Sequence, residues 1–215
     1  MRSAILDAAG TIVAAEGVDG LTIRAVAQAV GYSAGALYEY FDSKEAILTA
    51  LYFDGTDGLG THCERAVAGL PQNASAVDAL IALGHAYRTY ALAHAELYRL
   101  VFGGFKTLPQ PPEVDCREES HGGFGTLIRI ATRGVAEGSM VDLPPPVVAC
   151  AAWSAVHGFV SLELTGHVTG GDGPGMPPAS PEEGRQRRQH MFDALLRIMM
   201  FGFVKEDRRA QLMVP

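Results

Sequence analysis

Positive charge is scarce in this chain. Its 17 lysines and arginines are outnumbered by 24 aspartates and glutamates, a formal net charge of -7. That balance excludes a protein whose whole surface attracts polyanions, because phosphate binding needs local positive charge. A small nucleic-acid-reading module on an acidic body remains compatible with it. Cysteine is scarce too. Cys63, Cys116 and Cys150 are odd in number and widely spaced, so they build no disulfide framework or zinc ribbon and read as idle thiols in a reducing cytosol. Catalytic signatures are missing. No HExxH, GxGxxG or P-loop occurs, and His62, His85, His94, His121, His157, His167 and His190 are scattered. His62 adjoins Cys63, but neighbours on a helix point apart. Glu163 and His167 have the spacing of a metal pair and read instead as a solvated helix end. Neither an enzyme nor a cofactor is expected.

A secretory leader is also not expected, since Met1–Leu6 carries one basic residue and Asp7 interrupts any apolar run. The most membrane-like stretch, Val147 to Leu164, contains Ser154, His157, Ser161 and Glu163 and lacks basic flanks, so it reads as a buried helix. No membrane partner is expected, and the protein is placed in the cytoplasm. Strand signals are absent. With 215 residues, 48% of them hydrophobic, the chain suits one small domain and one larger one.

Helical periodicity fills the space that strands leave. Ile5, Leu6, Ala9, Ile12 and Val13 share one face, and Glu16 to Gly20 breaks the run. Thr22 suits an N-cap, Leu21 can staple onto Val26, and Ile23, Val26, Ala27 and Val30 repeat at helical steps. Gly31 stands where a left-handed residue ends a helix. Ser33 caps a third helix, Ala34 to Phe41, and Ser43 or Asp42 starts a fourth through Ala46, Ile47, Ala50 and Leu51. Further helices are predicted at Ala76–Leu92, Ala95–Phe105, Glu119–Glu137, Val147–Thr165 and Glu182–Val204, with a Gly- and Pro-rich loop between the last two. The fold class is all-α. A boundary near residue 52 separates a three-helix domain with a helix-turn-helix (1–52) from a larger helical domain (53–215).

The informative unit is Thr22 to Lys44, TIRAVAQAVGYSAGALYEYFDSK. Two short helices meet at Gly31-Tyr32-Ser33, an arrangement that lets the second enter a DNA major groove while the first lies across it. Ala27 is small where the helices approach. Val26, Val30 and Leu37 can bury the joint. Ala34, Gly35 and Ala36 are small enough to bring the helix start close to base edges and phosphates.

This segment resembles the DNA-binding signature of the TetR (tetracycline-repressor) family. Leu21-Thr22, Val26-Ala27, Val30-Gly31, Ser33, Gly35, Leu37-Tyr38, Tyr40-Phe41 and Ser43-Lys44-Glu45 lie at the family's spacing, over about a quarter of the chain. The resemblance implies a homodimer on a palindromic double-stranded operator, and a small-molecule effector held in the larger domain. It implies that Thr22 and Arg24 open the second helix near the DNA backbone, and that Ser33, Tyr38 and Lys44 contact phosphates. Ala34, Gly35 and Ala36 then face the bases, and Tyr40 lies near the backbone. Residues 1–52 depart from the family in holding three basic side chains (Arg2, Arg24, Lys44) against six acidic ones. Relatives often carry a basic N-terminal arm and a Lys or Arg near Ala34. Binding weaker and less salt-sensitive than usual follows, with little minor-groove contact.

Val147–Leu164 and Met191–Val204 are apolar nearly all round and need cover on two sides. A four-helix bundle from two copies supplies it, which is how the family uses its last two long helices. Trp153, His157 and Gly158 resemble the motif of a TetR subgroup named for Trp, His and Gly. Trp153 and His157 share a face, and Gly158 suits close helix approach. Candidates for an effector pocket are Tyr87, Tyr90, Tyr98, Phe102, Phe105, Phe124, Ile128, Trp153 and His157. Repression relieved by a small apolar ligand is the expected mode. The alternatives are a DNA-binding activator or a regulator with no effector.

Overall fold

The computed structural model describes residues 1–103, 123–169 and 180–206. Among them the structure is helical, and the one extended pairing is an isolated bridge between Met140 and Val204. The chain divides into two compact units. The first takes in Met1–Thr61 and the stretch from Ala93 through the sixth helix; the second takes in His62–Leu92 and the described residues from the seventh helix onward.

The first unit opens with α1 (Arg2–Gly20), in which Gly17 takes a φ of +73° and turns the chain just before the last residues of the helix. The break expected between Glu16 and Gly20 therefore falls at a residue without a Cβ, where a positive φ is free of steric penalty. Helix α2 (Ile23–Val30) begins where Thr22 Oγ1 accepts the Ala25 N–H at 3.0 Å. It ends at Gly31, whose φ of +74° lets the Tyr32 N–H return to the Ala27 carbonyl at 2.9 Å.

Helix α3 is shorter than the sequence pattern predicts. It covers Ala34–Leu37, and residues 38–40 form a turn. The N–H groups of Tyr40 and Phe41 both donate to the Leu37 carbonyl, at 2.9 and 3.0 Å. Two donors converging on one acceptor tighten the chain out of α-helical register and deliver Phe41 to the core. Helix α4 (Lys44–Ala68) starts at Ser43, whose hydroxyl accepts the Ala46 N–H at 3.1 Å, so Ser43 rather than Asp42 is the cap. It runs far beyond Leu51, through Gly55, Gly58 and Gly60. Gly55 is needed there for space. A methyl at its position would lie 3.2 Å from Val101 Cγ2, on α6 (Ala95–Phe102). The core of this unit is aliphatic, built from Ile5, Ala9, Val13, Leu21, Val26, Leu37, Phe41, Ile47, Leu51 and Leu100.

The second unit holds the end of α4, most of α5 (Ala76–Ala93), and α7 (Gly123–Ala136), α8 (Pro145–Leu164) and α9 (Pro181–Phe203). Helix α5 starts on a reciprocal cap: Ser75 Oγ accepts the Asp78 N–H at 3.1 Å and Asp78 Oδ2 accepts the Ser75 N–H at 2.9 Å. Helix α9 starts on a capping box between Ser180 and Glu183, with Pro181 in its first turn. Close packing of α5 on α9 depends on Gly84, where a methyl would approach Leu196 Cδ2 to 2.9 Å. At its far end α9 is fastened to the α7–α8 loop, since Val141 N–H donates to the Phe203 carbonyl and Lys205 N–H to the Ser139 carbonyl.

Helix α8 is long and apolar enough to cross a bilayer, and within the chain it is buried on one side only. Val148, Ala149, Ala152, Val156 and Val160 face inward, while Val147, Cys150, Ala151, Ser154 and Leu162 are exposed. One side of the helix is thus covered within the chain, and its other side is open.

Candidate nucleic-acid interface

Helices α2 and α3 and the turn after Gly31 form a helix-turn-helix whose joint is closed by Val26, Ala27 and Leu37, each at most 3% exposed. The outer side is open. Thr22, Arg24, Ser33, Gly35, Tyr38 and Tyr40 are exposed, and Ala34, Ala36 and Lys44 are half-buried. Thr22 and Ser33 spend their hydroxyl oxygens as caps, the latter accepting the Ala36 N–H at 3.2 Å. A serine held this way keeps its hydroxyl hydrogen for a further acceptor. Tyr38 and Tyr40 are 54% and 40% exposed, too open for core packing to explain them.

Two residues join this surface that the pattern of the sequence did not single out as DNA-facing. Tyr32, in the turn itself, is 51% exposed. A three-residue turn between two short helices offers an aromatic side chain no interior, and that was the available signal. Arg2 lies over Phe41, its guanidinium carbon 4.2 Å from the ring centre, and its Nη1 donates to the Tyr40 carbonyl at 3.1 Å. Nothing local in the sequence links residues so far apart.

The second unit gathers several of the candidate effector-site residues. Tyr87 Oη lies 3.0 Å from His157 Nδ1 and accepts from Trp153 Nε1 at 3.4 Å. Trp153 and His157 rings are 6.0 Å apart, and Phe124 meets Trp153 edge-on at 5.6 Å. Burial holds the His157 pKa below its ordinary value, so the ring is neutral at pH 7. Ile128 is fully buried, and Tyr90 packs against His62 with ring centres 5.7 Å apart. Tyr98 and Phe102, by contrast, meet at a tilt in the first unit, with ring centres 4.8 Å apart. Phe105 lies outside the described residues, as does Cys116. Of the other two thiols, Cys63 is buried and pushed up to about 12, and Cys150 is exposed.

Glu163 does not sit at a solvated helix end. Its carboxylate is 5% exposed and accepts from Arg88 Nε and Nη2, both at 2.7 Å, and from Arg188 Nε at 3.2 Å. Arg88 Nη1 also donates to Gln189 Oε1 at 2.6 Å, and its guanidinium lies 5.1 Å from the Phe192 ring centre. The α8 carboxylate thus clamps α5 and α9, and His167 turns away to Thr165 Oγ1 at 2.9 Å. Among the described residues no cluster of three or more His, Cys, Asp or Glu could hold a metal ion. The close approach expected at Gly158 is also absent within one chain, since a methyl there would meet no atom within 4 Å.

An exposed reading helix braced by a capped partner, on an otherwise helical chain, defines a DNA-binding transcriptional regulator. Residues 5–51 match the bacterial regulatory proteins of the tetR family, and residues 80–183 match the tetracyclin repressor-like C-terminal domain. The chain belongs to the TetR family. It is 31% identical over 169 residues to an uncharacterized HTH-type transcriptional regulator of Mycobacterium tuberculosis, covering 77% of this chain and 71% of that one. Identity to the HTH-type transcriptional repressor KstR2 of Rhodococcus jostii is 28%, over 74% of this chain and 79% of the relative. A solved structure of a Rhodococcus sp. RHA1 protein of unknown function superposes with a TM-score of 0.72, at 28% identity and 95% coverage of both chains.

Proposed function

We propose that this regulator is a cytoplasmic homodimeric repressor that leaves a palindromic operator when a small apolar molecule binds. Residues 1–52 read DNA, and residues 53–215 carry the effector and dimer contacts. The observation that carries this reading is the open face of α3: Ala34, Gly35 and Ala36 admit base edges, and Ser33, Tyr38 and Lys44 flank them for phosphates. Thr22, Arg24 and Tyr40 complete the backbone contacts. With three basic residues in 1–52, affinity is modest and the salt dependence shallow. The repressor name of one relative favours repression over activation.

Dimerisation is supported by the outer sides of α8 and α9. Val147, Leu162, Met191 and Ile198 are 46–69% exposed, and beside them Ala151, Ser154 and Gly158 leave α8 nearly flat. Apolar surface of this kind needs cover, and a second copy meeting it about a two-fold axis closes the assembly. The effector site is placed around Tyr87, Phe124, Ile128, Trp153 and His157, and the Trp153–His157–Gly158 pattern supports the subgroup named for it. A ligand that prefers one spacing of the two reading heads shifts the dimer away from DNA by that difference in affinity alone.

The test is selection of duplexes from a random library by the purified protein, followed by sedimentation of Ile198→Glu. The reading expects enriched palindromes, and a monomeric Ile198→Glu variant that loses them. Enrichment of unpaired half-sites by a stable monomeric wild type would defeat it.

A further inference from the structure

Arg2 is one of only three basic residues in the first 52, yet among the described residues it forms no ion pair. Its charge is turned on the protein itself. The guanidinium carbon lies over the Phe41 ring, 4.2 Å from its centre, and Nη1 donates to the Tyr40 carbonyl at 3.1 Å. That carbonyl belongs to the turn in which α3 ends, where backbone acceptors have lost their helical partners. Phe41 is 3% exposed and fixed in the aliphatic core, so it is a rigid platform. A planar, delocalised cation suits an aromatic face and a carbonyl at once better than an ammonium does.

We propose that Arg2 is a positioning residue for DNA reading: from the start of α1 it holds the turn 38–41, and so sets where Tyr38 and Lys44 stand relative to α3. The turn carries Tyr38 three residues before Phe41 and leads into Lys44 three residues after it. Fixing the Tyr40 carbonyl and the Phe41 ring together removes the freedom with which both DNA-facing side chains would otherwise swing. The proposal rests on the DNA-binding reading and adds to it the residue that orders the far end of the reading helix.

The test compares Arg2→Gln and Arg2→Lys in the full-length protein on two probes, a duplex enriched by the wild type and mixed-sequence DNA, across a salt series. Arg2→Gln is expected to weaken the enriched duplex about threefold to tenfold, from loss of the ring contact and the charged hydrogen bond. Because Tyr38 and Lys44 are read as phosphate contacts, binding to mixed-sequence DNA weakens as well, and Arg2→Gln adds no further loss in a Tyr38→Ala, Lys44→Ala background. Arg2→Lys restores part of the loss, and amide exchange at Tyr40 and Phe41 quickens in Arg2→Gln. The same loss from Arg2→Gln whether or not Tyr38 and Lys44 are present would make Arg2 a phosphate contact in its own right and overturn the proposal. Unchanged affinity of Arg2→Gln for the enriched duplex overturns it alone. A wild type that enriches no duplex overturns this and the reading beneath it together.

Discussion

The first unit buries aliphatic side chains and keeps its charges outside: Ile5, Val13, Leu21, Val26, Ile47 and Leu51 are at most 2% exposed. The second unit takes charge inside. Arg88 and Glu163 are nearly as buried as its leucines, and Arg188 and Gln189 close around them. The difference follows from what each has to present. A reading head must offer polar groups on its surface, and an aliphatic interior leaves those groups free to be chosen for DNA. In the second unit, three helices from distant parts of the chain must be held in one arrangement. A forked arginine on a carboxylate specifies that arrangement by direction as well as by distance.

The largest expected effect comes from breaking the clamp. Glu163→Gln leaves Arg88 and Arg188 without a counter-charge, and loss of one partner of a buried pair costs about 3–5 kcal/mol. Urea unfolding is expected to show this loss; a change under 1 kcal/mol would mean that the arginines find water, and the contrast between the units would collapse. Ile5→Ala sharpens the same contrast from the other side. Truncation of a fully buried aliphatic residue costs about 2–5 kcal/mol, here without any dependence on salt. Salt should weaken the Glu163 effect slightly and the Ile5 effect not at all.

Surface changes on the head come next. Tyr38→Ala is expected to lower operator affinity on the order of tenfold, as for loss of one charge-assisted phosphate contact. Lys44→Ala should lower it similarly and reduce the slope against log salt by about 1. Both variants should melt within a few degrees of the wild type, and a large drop in melting temperature would show that these side chains hold the fold.

Acidification gives the smallest effect, confined to the second unit. The unfolded chain takes up a proton on His157 near its ordinary pKa of about 6.5, and the folded chain only at lower pH. Between those values the unfolded state binds more protons, so stability is full above the ordinary pKa and falls as pH drops through the window. His157→Gln should flatten that part of the pH profile. An unaltered profile would show that the ring takes up its proton as readily in the fold as in the unfolded chain.

The head was legible because its chemistry is local. Thr22, Gly31 and Ser33 act on backbone groups within four residues, and the cap and left-handed positions expected for them are the ones found. The end of α3 was missed for a tertiary reason: Phe41 is drawn to the core, and that pull shortens the helix. Glu163 was misread because its partner Arg88 is 75 positions away and no periodicity connects them. Among the aromatic candidates, Tyr87, Phe124, Trp153 and His157 do converge. Tyr98 and Phe102 went to the first unit because α6 packs against α1 and α4, a pairing that aromatic spacing does not encode.

The last helix has a mechanical consequence. Toward its start Arg188 ties it to the end of α8 through Glu163 and the Thr169 carbonyl, and its far end is stitched to the loop before α8 through Phe203 and Lys205. A rod gripped at both ends can tilt or roll, but it cannot advance by one residue without breaking both grips. Any signal passing along this face must therefore travel as an angular change, and side chains on α9 keep their neighbours throughout.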